Sequence, residues 1–516
     1  MLAKTLKQIP AYAPQIKTAK NSLSLAFYTR MYSVAPAKTK SFTDLATLSS
    51  IVEVTKASPK FKKFDRSLFV CVQHGLSSTV DLLKGLTELG AKPEHIFWLG
   101  KSYSNNPMVV KEIEDLGVKV KSNSRQMVYG DFDESFAHDV SVLWEEIRNY
   151  YRKNRSEIDT IVVMDDGGKC LRATPHELFY MKGLSVIGIE QTSSGLNGVT
   201  QRHPLPVINV AGCALKAIIE TPLISKAVRI KSAEELEPFL IGKKTVSVIG
   251  YGKVGKMIAK MFADSGHLVL VYDPKLKDFD SFIHPNIRPV GHIGQAYAAS
   301  NIIIGCSGVD ITAGEALTLV KTGNDKVLVS CSSRDVEFKT LLEHIQAMRP
   351  LKENDDPLKT IHYKAPHNSL EVTILAGGFP INFDGSRDSV PRHEIQGTRA
   401  ALLGAAIFAQ YLAELQISHP EALAHKAGSP NFIKLPACLQ QFIFNSWKPS
   451  LPPALYSPED FATFEDLEKI QEKSMGKKVN FVSSPFSEES YARYKATLSC
   501  APSNDKEIDL LSKKCP

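Results

Sequence analysis

The sequence predicts an α/β protein built on two parallel sheets. Short apolar runs of strand length alternate with helix-length segments over most of the chain, which is the signature of successive βαβ units. One of these runs leads straight into a glycine-rich turn, Gly250-Tyr251-Gly252-Lys253-Val254-Gly255. The length, 516 residues, exceeds what a single ordinary core holds, so two or three domains are expected.

The first α/β segment starts near Ser67. Residues 68–72 read as a strand, 78–89 as a helix closed by Gly90, 96–99 as a strand and 107–116 as a helix. The run 159–164 reads as a strand ending in Asp165-Asp166-Gly167-Gly168, with further strands expected at 185–189 and 207–210. A second segment, 243–382, carries apolar runs at 245–249, 268–272, 301–305 and 326–330, each bounded by turn residues. Residues 395–417 read as one long helix. Its apolar part, 400–412, is interrupted by Gln410 and is shorter than the roughly 20 residues of a membrane span, so it reads as a buried helix. From His419 the chain is richer in Pro, Ser and charge, and Pro449, Pro452 and Pro453 mark a break that no helix or central strand should cross. No internal repeat is visible.

Composition narrows the function classes. Hydrophobic residues make up 43% and charged residues 23%, as in soluble globular proteins. The net charge of +7 has a local origin: Lys4, Lys7, Lys17, Lys20, Arg30, Lys38 and Lys40 all precede the first acid, Asp44, and account for the whole excess. A neutral body offers no basic face for nucleic acid, and no membrane partner is expected. The acid-free, Ser- and Lys-rich N-terminus has the composition of an organelle transit peptide, with Arg30-Met31-Tyr32-Ser33 resembling a mitochondrial processing site cut after Tyr32. A basic tail broken by Pro10 and Pro14 is the other reading, so mitochondrial and cytoplasmic locations both stay open. The eight cysteines are scattered, without a C-x-x-C pair, and neither a metal site nor a disulfide framework is expected.

The apolar run 245–249, the loop Gly250 to Gly255, a helical pattern, the run 268–272 and Asp273 together form a dinucleotide-binding fingerprint. Gly250 permits the tight turn, Gly252 lets the backbone approach a pyrophosphate, and Gly255 allows helix and strand to pack closely. Lys253 and Val254 open the helix whose N-terminus faces the phosphates. A carboxylate at Asp273 accepts hydrogen bonds from an adenosine ribose diol and repels a 2′-phosphate, so NAD is the expected cofactor.

With these residues in view, the chain resembles the S-adenosylhomocysteine hydrolase (adenosylhomocysteinase) family over about residues 68–442. Gln73-His74-Gly75, Asp165-Asp166-Gly167-Gly168, Glu190-Gln191-Thr192-Ser193-Ser194-Gly195, Pro206-Val207-Ile208-Asn209-Val210 with Lys216, the cofactor loop through Lys256, Asn382, and Leu435-Pro436 with Leu439 carry the resemblance. It implies two Rossmann-like domains with parallel sheets, an NAD-binding domain inserted into a substrate domain, and hinge helices joining them. The corresponding boundaries are a basic segment 1–60, a substrate domain 61–228, a cofactor domain 229–388, a returning hinge and C-terminal segment 389–442, and an extension 443–516. It also implies a small nucleoside substrate, a homo-oligomer, and a tightly bound NAD that oxidises a ribose 3′-hydroxyl so that a thioether is eliminated and water added. Asp166, Lys216, Glu220, His74 and Gln191 fall at its catalytic positions. Thr192, Ser193, Ser194 and Asn382 fall at cofactor contacts.

The residues also admit plainer readings. His74 suits a strand-end histidine, Asp166 a turn acid, Lys216 a solvated helix lysine, and Thr192 to Ser194 a helix cap. Several positions depart from the family. Gln191 replaces a catalytic Glu; Glu220 and Thr221 replace Asp and Asn; Leu76 replaces a substrate-contacting Thr; Ala316 stands for a His, and Val390 lies near a second one, for which His393 is a substitute. The family's C-terminal Lys and Tyr have no match. Two alternatives therefore accompany the hydrolase reading. One is an NAD-bound homologue without turnover and with a regulatory role. The other is a 2-hydroxyacid-dehydrogenase-like oxidoreductase, for which Arg334 follows a strand while Glu337 and His344 lie off the needed spacing.

Overall fold

The computed structural model describes residues 44–58, 61–121, 132–199, 205–276, 284–322, 324–348, 356–364, 370–418 and 432–450. The processing site at 30–33 and the extension beyond residue 450 lie outside the described residues.

The strands follow in chain order as β1 (Ser67–Gln73), β2 (Ile96–Gly100), β3 (Lys119–Val120), β4 (Thr160–Asp165), β5 (Ser185–Glu190), β6 (Val207–Asn209) and β7 (Thr245–Ile249). They continue as β8 (Leu268–Tyr272), β9 (Ile287–Pro289), β10 (Ile302–Gly305), β11 (Lys326–Ser330), β12 (Ile361–Lys364), β13 (Glu371–Ile374) and β14 (Phe432–Lys434). One sheet has the order β14-β6-β5-β4-β1-β2-β3 and the other β12-β13-β11-β10-β7-β8-β9. Every pair is parallel except β12 with β13.

Burial explains why the strand signal was a continuous run rather than an alternation. β1, β2, β4 and β5 are buried along their whole length, because helices cover both faces of a parallel sheet. The sequence shows no run for β3, β9, β12, β13 or β14. All are at or next to a sheet edge and only two to four residues long, too short to impose a pattern. Helix ends obey local chemistry. The helix Pro107–Asp115 starts on Asn106, whose side chain accepts from the Met108 and Val109 amides, with proline at its first position.

The topology creates two crevices. In the first sheet the chain runs outward from β1 through β2 to β3, then returns to start again at β4 beside β1. The second sheet repeats this, with β7, β8 and β9 on one side and β10 and β11 on the other. At such a reversal the loops leaving two neighbouring strands diverge in opposite directions, and the gap between them admits a ligand.

The long helix Arg392–Ser418 begins three residues before its expected start, directly after Pro391, whose carbonyl accepts from the Glu394 and Ile395 amides. Ala400 to Ala409 are buried, and Ser67 in β1 donates to Gln410, the polar residue that interrupts the apolar run. Two glycines set its packing distance. A Cβ on Gly397 would stand 2.7 Å from Ile219 and 2.9 Å from Trp447, and one on Gly404 would stand 2.9 Å from Leu439. The Trp447 indole donates to the Glu394 carbonyl at 2.6 Å, while Lys226 from the helix Ala214–Leu236 pairs with the Glu394 carboxylate at 2.9 Å. Among the described residues no helix is long and apolar enough to cross a membrane.

Replacing Gly397 with leucine should push this helix off its neighbours and destabilise the protein by about 1–3 kcal/mol, the usual cost of overpacking. Urea unfolding measures this, and an unchanged midpoint would contradict the close approach.

Candidate functional site

The cofactor crevice is built by three glycines with three different duties. Gly250 turns the chain at φ 96°, and a Cβ there would lie 2.6 Å from the Cys306 carbonyl. A Cβ on Gly255 would lie 1.9 Å from the Gly250 oxygen, so helix and strand meet only because it is absent. A Cβ on Gly252 would meet nothing within 4 Å, so open space lies at the start of the helix Lys253–Asp264. That space, with free amides at a helix N-terminus, fits a pyrophosphate. Lys253 opens this helix, its side chain lying outside the described set, and Val254 packs on the core of the second sheet. Asp273 stands just past β8 and accepts from the Tyr251 amide at 2.7 Å and the Lys275 amide at 2.9 Å. These bonds fix the carboxylate beside the loop, and each oxygen keeps a lone pair for a ribose diol.

The far end of this crevice is held by Glu337, a buried carboxylate. It accepts from the Gly308 amide at 2.6 Å, the Ser307 hydroxyl at 2.8 Å and the Ser332 hydroxyl, tying the loop after β10 to the loop after β11. Asn382 lies just beyond β11, anchored by the Ile381 amide on the Ser330 carbonyl at 2.9 Å, and lines a cleft with Leu76, Ser104 and Phe383. Phe383 stacks on the His74 ring at 4.6 Å. The end of the crevice lined by Asn382 therefore opens onto the first sheet.

There the predicted polar residues converge, three of them directly after a strand. His74 follows β1, Asp166 follows β4 and Gln191 follows β5, while Lys216 lies on the first turn of the helix after β6. Asp166 is buried and central. Gln191 donates to one of its oxygens, and His74 Nε2 lies 3.4 Å from the same oxygen. Lys101, at the end of β2, forms a buried ion pair with the other. Lys216 donates to the Gln191 carbonyl and pairs with Glu220, one helical turn on, at 2.7 Å.

This arrangement separates the protonation states. Burial opposes the Asp166 charge, but Lys101, aided by Lys216, outweighs it and holds the carboxyl well below its ordinary range. Burial brings His74 down to about 3, so its ring is neutral at physiological pH. Burial likewise lowers Lys216 to about 8, partly offset by Asp166. Asp166 is thus a fixed anion, His74 a neutral hydrogen-bonding ring whose Nδ1 meets Ser104 Oγ at 2.5 Å, and Lys216 an amine close to its titration point.

Other expected residues are placed differently. The Thr192 hydroxyl caps the helix Ser193–Gly198 by accepting from the Gly195 amide at 3.0 Å and donates to Glu190, while Ser193 and Ser194 are exposed on its first turn. Ala316, expected at a catalytic histidine position, belongs to the buried core of the second sheet. Val390 is buried and apolar, and His393 is half exposed beside Glu394 at 4.0 Å, apart from the cluster. Ser77 and Ser78, next to Leu76, bind Arg387, Asp388 and Arg399 within the scaffold. The Thr221 side chain lies outside the described set. Glu337 and His344, the residues weighed for a dehydrogenase-type Glu–His pair, do not pair with each other. Glu337 is occupied by the loops, and His344 meets the Tyr363 hydroxyl at 3.3 Å. Arg334 crosses to Asp133 of the helix Phe132–Lys153 at 2.6 Å.

Sequence reasoning missed Lys101 and Arg399. Arg399, buried on the long helix, donates to Gln73 at 3.2 Å and Ser78 at 3.1 Å, bracing the strand end that carries His74. Its signal was a charge directly before the apolar stretch 400–412. Lys101 directly follows the apolar run of β2, the same position relative to a strand that Asp166 and Gln191 occupy. Among the described residues no group of three or more His, Cys, Asp or Glu is placed to hold a metal ion, and Cys71, Cys170, Cys213, Cys306 and Cys331 are not joined in disulfides.

Gly255→Ala should drive a methyl into the Gly250 carbonyl and abolish NAD retention, read as cofactor released on denaturing the purified protein. Asp273→Ser should weaken NAD by about 1.5–3 kcal/mol, the range for a charged hydrogen bond, and narrow its margin over NADP in binding titrations. Undiminished NAD content in both variants would contradict this crevice.

Residues 245–349 match the family described as the NAD binding domain of 6-phosphogluconate dehydrogenase. An uncharacterized protein of Mycobacterium tuberculosis, found in two strains, is 27% identical over 366 residues, 70% of this chain and 68% of its own length. Among solved structures, a 2-hydroxyacid dehydrogenase from Ketogulonicigenium vulgare is similar at 12% identity and a TM-score of 0.31, over 61% of this chain and 94% of that one. An NAD-complexed D-isomer specific 2-hydroxyacid dehydrogenase from Lactobacillus delbrueckii is similar at 13% identity and a TM-score of 0.31, over 66% and 97%. The chain is an α/β protein of two parallel-dominated sheets that contains an NAD-binding domain.

Proposed function

We propose that the protein is an NAD-dependent oxidoreductase that oxidises a secondary hydroxyl of a small polar substrate, with a nucleoside as the substrate class. The observation that carries this reading is Lys216, a buried amine near its titration point, set among Asp166, Gln191 and Glu220 at the strand ends of the first sheet. Bound NAD supplies a hydride acceptor. Neutral Lys216 accepts the hydroxyl proton, and Glu220 at 2.7 Å stabilises the ammonium that forms. Asp166, permanently charged, accepts hydrogen bonds from the substrate's hydroxyls, and neutral His74 orients them. The nucleoside class follows from the motif resemblance at Asp165 to Gly168, Glu190 to Gly195 and Lys216.

The same site argues for limiting the chemistry to oxidation and reduction. Gln191 carries no charge and donates its amide to Asp166, while Ala316 and Val390 supply no acid or base. Thioether elimination and hydration need such groups, and losing each typically costs roughly 10²–10⁴-fold.

The test uses the full chain loaded with NAD and follows reduced-cofactor fluorescence on adding adenosine, S-adenosylhomocysteine or a series of 2-hydroxy acids. A signal with the nucleosides and no free thiol supports this reading. Thiol release would establish a complete hydrolase cycle, a signal from hydroxy acids alone would move the substrate class, and silence with all of them would favour a non-catalytic NAD-bound protein. Lys216→Met should retain NAD and slow oxidation by roughly 10²–10⁴-fold. Because the amine must be neutral to accept a proton, the rate should climb about tenfold per pH unit and level off above about 8. A pH-independent rate would exclude Lys216 as the base.

A further inference from the structure

We infer that Glu190 and Asp165 share one proton, held between Glu190 Oε2 and Asp165 Oδ1, and that this bond makes Glu190 a positioning residue for the two loops carrying Asp166 and Gln191. The two residues are register partners on the neighbouring parallel strands β5 and β4, and both are buried. Their hydrogen bonds divide cleanly. Glu190 Oε1 accepts from the Thr192 amide at 2.7 Å, the Thr192 hydroxyl at 2.6 Å and the Gly167 amide at 3.2 Å. Asp165 Oδ2 accepts from the Leu171 amide at 2.9 Å. The remaining oxygens, Glu190 Oε2 and Asp165 Oδ1, are buried without a partner. Gly195 seals the pair, since a Cβ there would stand 2.3 Å from the Glu190 carboxyl.

Two adjacent buried carboxyls cannot both carry charge cheaply, and two orphaned acceptors need a donor between them. A single proton meets both requirements. Glu190 is faced by Asp165 and Asp166 from the end of β4, by Thr192 from its own loop and by Lys216 from the helix after β6; Asp165 is also faced by Lys101 and Cys170. Burial, then the Asp165 charge, pushes Glu190 up to about 8. The sign for stability follows. An unfolded glutamate loses its proton near 4.5 while the folded one keeps it to about 8, so this contribution is complete below 4.5 and is lost as pH rises through that interval.

Glu190→Gln copies the protonated acid: its amide donates to Asp165 while its oxygen accepts from Gly167 and Thr192. Asp165→Asn reverses the donor, leaving Glu190 ionised. Infrared spectroscopy of the full-length protein should show a protonated-carboxyl band at neutral pH that titrates away near about 8 and is missing from both variants. Urea stability should decline between weakly acidic and alkaline pH in the parent and stay flat in Glu190→Gln. The double variant sets two amides donor to donor and should be destabilised by more than the two singles combined. A parent without the band at neutral pH, or a band that survives in both variants, overturns the shared proton. The positioning role rests on the proposed oxidation, whereas the band does not. A normal band in a protein that oxidises nothing therefore counts against the oxidation alone, and an oxidation pH profile identical in the parent and Glu190→Gln overturns the positioning role.

Discussion

A single buried anion organises the first sheet. Asp166 lies where four adjacent parallel strands end, shielded from water, and an unpaired carboxylate there would carry a desolvation penalty of several kcal/mol. Each neighbouring strand end contributes to stabilising it: Lys101 after β2, His74 after β1, Gln191 after β5, with Lys216 on the helix beyond β6. Their arrangement decides what each group can do. Lys101 keeps Asp166 ionised, the low-dielectric surroundings keep His74 neutral, and Lys216 is left as the group able to exchange a proton near physiological pH.

The second sheet supplies a different constraint, which is one of close approach. Its loop works because the backbone is bare at Gly250, Gly252 and Gly255, and because Asp273 is fixed by the amides of the loop it serves. The two sheets are brought to bear on one another by a few contacts. Phe383 stacks on His74, and Arg334, in a left-handed conformation, reaches across to Asp133. The buried helix Arg392–Ser418 packs through Gly397 and Gly404 on the helices beside it and places Arg399 against the strand that carries His74. A helix of small residues suits this position because it lets neighbouring elements approach closely without voids.

Much of this was legible from the chain alone. Nine of the strands announced themselves as apolar runs, because burial on both faces removes the need for polar residues. The dinucleotide loop was readable because its glycines are demanded by backbone geometry within some thirty residues of chain. The acid pair at Asp165-Asp166, Gln191 and Lys216 could be singled out by their places after strands. Roles were harder to read. Thr192 to Ser194 fitted a cofactor contact and a helix cap equally in sequence, and the structure shows the Thr192 cap. Ala316, which stands where the family has a histidine, is core.

What the sequence by itself determined is local: two series of buried parallel strands, a glycine loop set by a tight turn, close helix packing and room for a ligand, and a set of polar residues at strand ends. Tertiary structure alone decided which of those residues meet. Lys101 and Asp166 are 65 positions apart and Arg399 and Gln73 are 326 apart, and no spacing rule reaches that far. The protonation states of Asp166, His74 and Lys216 were likewise beyond the chain's reading, because they depend on burial and on charges brought in by other strands. The physical reason is the same in both cases. Backbone preferences act over a few residues, whereas desolvation and charge pairing act through space.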